Sequence, residues 1–350
     1  MKYQRELLKD VEGYVPGEQP KTSGVIKLNT NENPYPPSEQ AMAVLHGLSP
    51  QALRKYSDPV SLEFRAAWAQ RYGYDGPDWV IAGNGMDELL SLAIRGFVDP
   101  GDAVLSTYPT YTLYDALAQL HGARLTTVDL DEDFQLTDAF FETPARICLL
   151  PRPNAPSGVC CPLEAVERLC RCFDGLVVID EAYADFADDN CIEFPKRFEN
   201  AVVMRTFSKS FSLAGMRVGA GAARPEVVRE LTKVKDSYNL NAVSQAVGLA
   251  ALRDYGHMLA NVEKVRATRA RLIAALTAMG FRVPPSQSNF VLAQWDGTTN
   301  ARGIFEALRE RGILVRYFTA RRLDNALRIT VGTDDEIDQL LQALRNIIEG

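Results

Sequence analysis

The sequence predicts an α/β fold: a large domain with a mostly parallel sheet flanked by helices, then a smaller C-terminal α+β domain. Three observations carry this. Short apolar segments alternate with helical patterns from Trp79 to Arg205, the signature of a layered, mainly parallel sheet. The distinctive polar residues fall just after those apolar segments, where open α/β sheets bind ligands. After a long helical stretch, the pattern changes to strand, helix and two strands, closed by a final helix.

Residues 1–30 mix polar residues with a Tyr14-Val15-Pro16-Gly17 turn and are expected to form an arm. The large domain is expected over 31–260 and the small one over 261–350. Asn29-Thr30-Asn31-Glu32-Asn33-Pro34-Tyr35 is dense in turn formers, a loop of the kind that carries binding residues. An amphipathic helix is expected over 61–71. Strands are expected at 80–82, 103–106, 124–128, 147–150, 176–179 and 201–205, with helices at 88–97, 112–120 and 163–173 between them. Residues 244–279 read as helical with a break near Asp254-Tyr255-Gly256. Beyond them lie strands at 289–293, 313–316 and 327–331 and a helix at 304–311. Thr333-Asp334-Asp335-Glu336 fits a capping box that opens the last helix.

Composition narrows the function. The 350 residues suffice for one large or two moderate domains with a proper core. The net charge of −7 comes from 38 basic and 45 acidic residues, with no basic stripe to mark a nucleic-acid partner. No apolar stretch reaches the roughly 20 residues that span a bilayer, and the polar Met1–Glu6 start lacks a signal-peptide core, so a cytoplasmic protein is expected. Six cysteines include Cys160-Cys161 and Cys170-x-Cys172, neither with metal-site spacing. No metal is expected, and His46, His121 and His257 stand apart from any triad pattern.

The chemistry gathers in four stretches. Val202 to Thr206 forms an apolar run ending in Phe207-Ser208-Lys209-Ser210, with Arg217 a few residues on. Thr206, Ser208 and Arg217 suit a phosphate ester, and a desolvated lysine beside an arginine becomes a nucleophilic amine. Gly83-Asn84-Gly85-Met86-Asp87-Glu88 joins a strand to a helix start and offers backbone N–H groups to an anion. It lacks the third glycine of a dinucleotide fingerprint; Gly219-Ala220-Gly221 lacks it too and reads as tight strand packing. Leu176 to Ile179 runs into Asp180, with Tyr183 close behind, and Asn154 follows the strand that ends at Leu150. Taken singly, Asp180 also fits a helix N-cap, Asn154 a plain turn and Tyr111 a core aromatic. Pyridoxal 5′-phosphate accounts for all of them together, with a phosphate, a ring nitrogen for Asp180, a phenolic oxygen for Asn154 and Tyr183, and an aldehyde for Lys209.

The order of these motifs resembles the class I/II aminotransferases of fold-type I, and within them the histidinol-phosphate aminotransferases. The resemblance covers nearly the whole chain, including Leu28 to Tyr35, Tyr56-Ser57-Asp58-Pro59, Asp180-Glu181-Ala182-Tyr183, Ser208-Lys209-Ser210-Phe211 and Leu327 to Thr333. It implies that Lys209 forms the Schiff base and shuttles the proton, and that Asp180 pairs with the ring nitrogen. Tyr183 and Asn154 would bond the ring oxygen and Tyr111 would stack on the ring. Gly85, Met86, Asp87, Thr206, Ser208 and Arg217 would hold the phosphate, and Tyr56 would reach the phosphate of a neighbouring subunit in a homodimer with shared sites. Tyr14, Asn31, Arg316 and Arg328 would bind substrate, namely histidinol phosphate and glutamate. Threonine-phosphate decarboxylases and aromatic amino-acid aminotransferases of the same fold share Lys209 and Asp180 and stay open as alternatives. Two departures from the family pattern stand out: Met86 where a small residue is usual, and Ala155 and Ser157 in place of the Asn and Thr of the Asn-Pro-Asn-Asn-Pro-Thr-Gly run.

Overall fold

The computed structural model describes residues 3–9, 11, 13, 17–20 and 24–349. Its strands are β1 (Ile26–Lys27), β2 (Val80–Asn84), β3 (Ala103–Tyr108), β4 (Arg124–Asp129), β5 (Ile147–Pro151), β6 (Leu176–Asp180), β7 (Ala201–Thr206) and β8 (Val218–Ala222). They are followed by β9 (Phe290–Gln294), β10 (Ile313–Leu314), β11 (Arg316–Tyr317) and β12 (Ala326–Thr330). Seven strands form the main sheet in the order β2-β8-β7-β6-β5-β3-β4. Only β8 runs against its neighbours in that sheet.

Burial on both faces explains why these strands read as unbroken apolar runs. Along β6, Val178 joins the cluster with Leu89, Tyr114 and Met204 on one face. Val177 and Ile179 turn to the other face, against Val166, Leu169 and Phe194. That is the two-residue alternation of a strand with helices on either side. Parallel register aligns the strand ends: Pro151 lies opposite Asp180, and Asp180 opposite Met204. The carboxyl ends of β5, β6 and β7 therefore deliver their following residues to one place.

The glycine-rich 218–222 segment is β8, wedged between β2 and β7. A Cβ on Gly219 would stand 2.7 Å from the backbone of Gly85 and Met86, so the close approach of this strand to the Gly85 turn demands glycine.

A second sheet, β11-β12-β9, is antiparallel. The single strand expected at 313–316 is divided between two sheets: Ile313–Leu314 pairs in parallel with Ile26–Lys27, while Arg316–Tyr317 pairs with β12. The break near residue 254 is present, separating helices Ala242–Arg253 and Tyr255–Ala278. The capping box at Thr333 forms in full, with Glu336 N–H donating to the Thr333 hydroxyl and Thr333 N–H to Glu336 Oε2. Helices Glu39–His46 and Pro225–Val234 escaped the sequence reading, although Ser38 caps the first and Pro225 opens the second, both ordinary start signals. Among the described residues, no helix is long and apolar enough to cross a membrane.

Candidate active site

A cavity of about 560 Å³ opens at the carboxyl ends of β5, β6 and β7 and extends to β11 and β12. Its size is that of a small-molecule site. Lys209, Asp180, Tyr183, Tyr111, Thr206, Ser208, Arg217, Met86, Asp87, Asn31, Arg316 and Arg328 all line it. Residues as far apart in the sequence as Asn31 and Arg328 thus meet in one place.

Lys209 follows β7, and its Nζ donates to the Thr30 carbonyl at 3.1 Å. Burial, and then the Arg328 guanidinium, bring its amine down to about 8, with Glu32 pulling the other way. The Asn33 amide donates to the carbonyls of Lys209 and Ser210 at 3.1 Å each. The 29–35 loop therefore holds both the backbone and the amine of Lys209.

Asp180 ends β6 and is 4% exposed. Its Oδ2 accepts from the Tyr114 hydroxyl at 2.6 Å and its Oδ1 from Ala182 N–H at 3.0 Å. Burial pushes this carboxyl up to about 6, against the pull of those two hydrogen bonds. Tyr111 meets Tyr114 edge to face at 5.7 Å. Tyr183 accepts from the Asn31 amide at 2.9 Å, and Asn31 Oδ1 accepts from Thr330 at 3.1 Å.

The anion cradle is built from the helix Met86–Phe97, whose N-cap Gly85 supplies no side-chain acceptor. Its first N–H groups have no intrahelical partner and carry the positive end of the helix dipole. Gly85 has φ +81°, and a Cβ there would collide with the Arg217 guanidinium. Arg217 donates to Ser208 Oγ and to Asp87 Oδ2 at 3.1 Å each. The Thr206 hydroxyl accepts from Ser208 N–H at 3.1 Å.

Across the cavity, Arg316 and Arg328 are cross-strand partners. Like charges placed opposite each other repel, which suits a site that receives an anion. Arg328 Nη2 donates to the Asn29 carbonyl at 3.0 Å.

Two expected residues sit elsewhere. Asn154 is buried away from the cavity: its amide donates to Pro109 O at 3.1 Å and Thr107 Oγ1 at 3.3 Å, and its Oδ1 accepts from Ser157. Ala155 faces the cavity instead. Tyr56 lies on the surface at 82% exposure, stacked on Tyr238 at 4.4 Å. Tyr14 falls outside the described residues.

Two features escaped the sequence reading. Tyr114 lies in the first turn of the helix Leu113–Leu120, three residues after Tyr111, which precedes that helix. Behind Asp180 and Lys209, buried Arg205 donates to Glu181 at 2.8 and 3.0 Å and to Asp185 at 3.1 Å, and Ser210 donates to Asp185 at 2.5 Å. This network ties the end of β7 to the loop after β6.

Comparison with known proteins agrees with the geometry. The family described as aminotransferase class I and II matches residues 23–344. The chain is 45% identical over 345 residues to a histidinol-phosphate aminotransferase of Synechocystis sp., an alignment covering 98% of this chain and 97% of that one. It is 43% identical to that of Syntrophotalea carbinolica, over 98% and 99% of the two chains. The solved histidinol-phosphate aminotransferase of Sinorhizobium meliloti, in complex with pyridoxal-5′-phosphate, superposes with a TM-score of 0.86 at 26% identity, covering 93% of this chain and 91% of that one. Thermus thermophilus aspartate aminotransferase, at 22% identity and a TM-score of 0.79, covering 92% and 91%, shares the fold. The main sheet, its strand-end cavity and these likenesses are those of fold-type I, and the chain belongs to the aminotransferase class I and II family.

Proposed function

We propose that this chain is a pyridoxal 5′-phosphate-dependent aminotransferase that moves an amino group between glutamate/2-oxoglutarate and histidinol phosphate/imidazole acetol phosphate in histidine biosynthesis. The observation that carries the reading is the convergence of Lys209, Asp180 and Arg217 on one cavity that also holds the Arg316–Arg328 pair. The donor set fits the cofactor. Gly85 leaves room for Arg217 to lie against an uncapped helix start, which makes a phosphate site. A buried carboxylate stands at the strand end for a ring nitrogen, with a lysine of lowered basicity nearby.

When bound, pyridoxal phosphate supplies an electron-accepting ring and carries the amino group between the two half-reactions. The chain's own residues do the rest. Lys209, brought down to about 8, anchors the aldehyde end and moves a proton at the substrate α-carbon. Asp180 holds the ring nitrogen in its protonated form. Tyr183, oriented by Asn31, donates to the phenolic oxygen, and Tyr111 covers the ring. Met86 and Asp87 N–H, Thr206, Ser208 and Arg217 bind the phosphate. Arg316 and Arg328 grip the anionic ends of the two substrates, one carrying a phosphate and the other carboxylates.

The reading includes a homodimer. Tyr56, Leu53, Leu62 and Tyr238 are exposed large apolar residues, a face suited to burial against a second copy, and Tyr56 would reach the cofactor phosphate held there. It also includes an arm over 1–30, a large domain over 31–260 and a small domain over 261–350. The main sheet lies within 80–222 and the β9–β11–β12 sheet within 290–330, while β1 docks on β10. A cytoplasmic location fits the six unpaired thiols.

The test is a visible titration of cofactor-loaded protein with histidinol phosphate, glutamate, phenylalanine and threonine phosphate. Conversion to the amine form by histidinol phosphate and glutamate, far more efficiently than by phenylalanine, supports the reading. Preference for phenylalanine would make it an aromatic aminotransferase, and carbon dioxide release from threonine phosphate a decarboxylase.

A further inference from the structure

The turn after β5 contains one amide and one methyl, and the methyl faces the cavity. Asn154 is 5% exposed, and all its hydrogen-bonding groups are committed. It donates to Thr107 and Pro109, and it accepts from Ser157 N–H at 3.2 Å and Ser157 Oγ at 2.7 Å. Rotating it inward would strand buried partners at about 1–3 kcal/mol each. Ala155 and Pro156 line the cavity in its stead. This turn flanks the position proposed for the ring, because Pro151 pairs in register with Asp180. The nearby donor toward a ring oxygen is then Tyr183, fixed by the chain Thr330 to Asn31 to Tyr183.

We propose that Ala155 is a tuning residue: by withholding an amide from the cofactor's phenolic oxygen, it leaves Tyr183 as that oxygen's side-chain donor and keeps the lysine-linked chromophore protonated to higher pH. The inference rests on the cofactor reading above. A hydrogen bond donated to the phenolate disperses its negative charge and loosens its hold on the neighbouring imine proton. Fewer donors mean a tighter hold. The charged groups that line the cavity, Asp180, Lys209, Glu32, Arg217, Arg316 and Arg328 among them, are common to the parent and the variant and cancel in a comparison.

The experiment is a pH titration of the long-wavelength absorption band of the reconstituted holoenzyme, without substrate, for the parent and for Ala155→Asn, Asn154→Ala and Tyr183→Phe. Ala155→Asn is expected to lower the midpoint by about one pH unit. Asn154→Ala should leave it in place, whatever it does to stability, and Tyr183→Phe should raise it. An unchanged midpoint in Ala155→Asn, or a rise in Asn154→Ala equal to that in Tyr183→Phe, overturns the proposal. If Ala155→Asn does not fold, the contrast between the other two variants decides. Apoprotein that takes up no cofactor would instead sink the underlying function.

Discussion

The Tyr114 hydroxyl donates to Asp180 Oδ2 at 2.6 Å, and both groups are buried beneath the cavity floor. Burial, with the charge of Asp180, pushes the phenol well above its ordinary value, so it remains a donor throughout the working pH range. With Ala182 N–H on the other oxygen, the carboxylate is fixed in the orientation that presents it to the cavity. Tyr114→Phe keeps the ring and removes the donor. A hydrogen bond to a charged group is worth about 1.5–3 kcal/mol, so kcat/KM should fall roughly 10- to 100-fold while KM for glutamate barely moves. Steady-state kinetics with both substrates decides this.

Asp180 and Lys209 impose opposite pH dependences on the apoprotein. Asp180 rises on folding from 3.8 to about 6. The folded state binds the extra proton between those values, so this group's contribution to stability is lost as pH climbs through that window. Lys209 falls from 10.5 to about 8, so its burial costs stability at neutral pH, and that cost fades as pH rises from 8 to 10.5. Urea unfolding of apoprotein at stepped pH should show Asp180→Asn flattening the acid slope and Lys209→Met the alkaline one.

Arg328, proposed to grip substrate, also acts on the lysine. After burial, its charge is the strongest influence lowering the Lys209 amine. Arg328→Met should raise KM for glutamate at least tenfold. It should also shift the pH at which apoprotein captures pyridoxal phosphate toward the alkaline side. Stopped-flow uptake of the cofactor across pH 6–10 reads the second effect independently of turnover.

Gly85→Ala introduces a Cβ at φ +81° directly against Arg217. This extended backbone at positive φ (ψ 167°) is essentially restricted to glycine and costs another residue about 1–3 kcal/mol, and the guanidinium must leave the helix start. Weaker cofactor binding, by tenfold or more in equilibrium dialysis, is the expected outcome. Met86→Ala contributes the same N–H and should bind the cofactor like the parent.

Arg205→Met strands Glu181, a carboxylate with its side chain fully buried. Removing one partner of such a pair costs about 3–5 kcal/mol. A large drop in Tm is expected, larger than for Arg217→Met, whose partner Asp87 is half exposed. Differential scanning calorimetry of the two apoproteins makes the comparison.

Lys209 and Asp180 were legible as cavity residues because Asp180 closes the apolar β6 and Lys209 follows the largely apolar β7, and ligand sites of such sheets lie beyond the carboxyl ends of the strands. Arg217, Thr206 and Ser208 followed from the same logic. The direction of β8 was not legible, since a small-residue strand looks alike run either way. Nor was the facing of Arg316 and Arg328, which depends on a register between strands separated by an eight-residue loop. The Asn154–Ala155 turn shows the limit most clearly: which of two adjacent side chains enters the cavity is set by contacts with Thr107, Pro109 and Ser157, and no local pattern encodes those. Arg205 hid inside an apolar run, because its partners lie on another strand's loop.

The most direct measurement is to load the protein with pyridoxal phosphate, reduce it with borohydride and map its peptides by mass spectrometry. One pyridoxyl group per chain is expected, on the peptide carrying Lys209 and absent from Lys209→Ala. A label on another lysine, or none, would contradict the role given to Lys209.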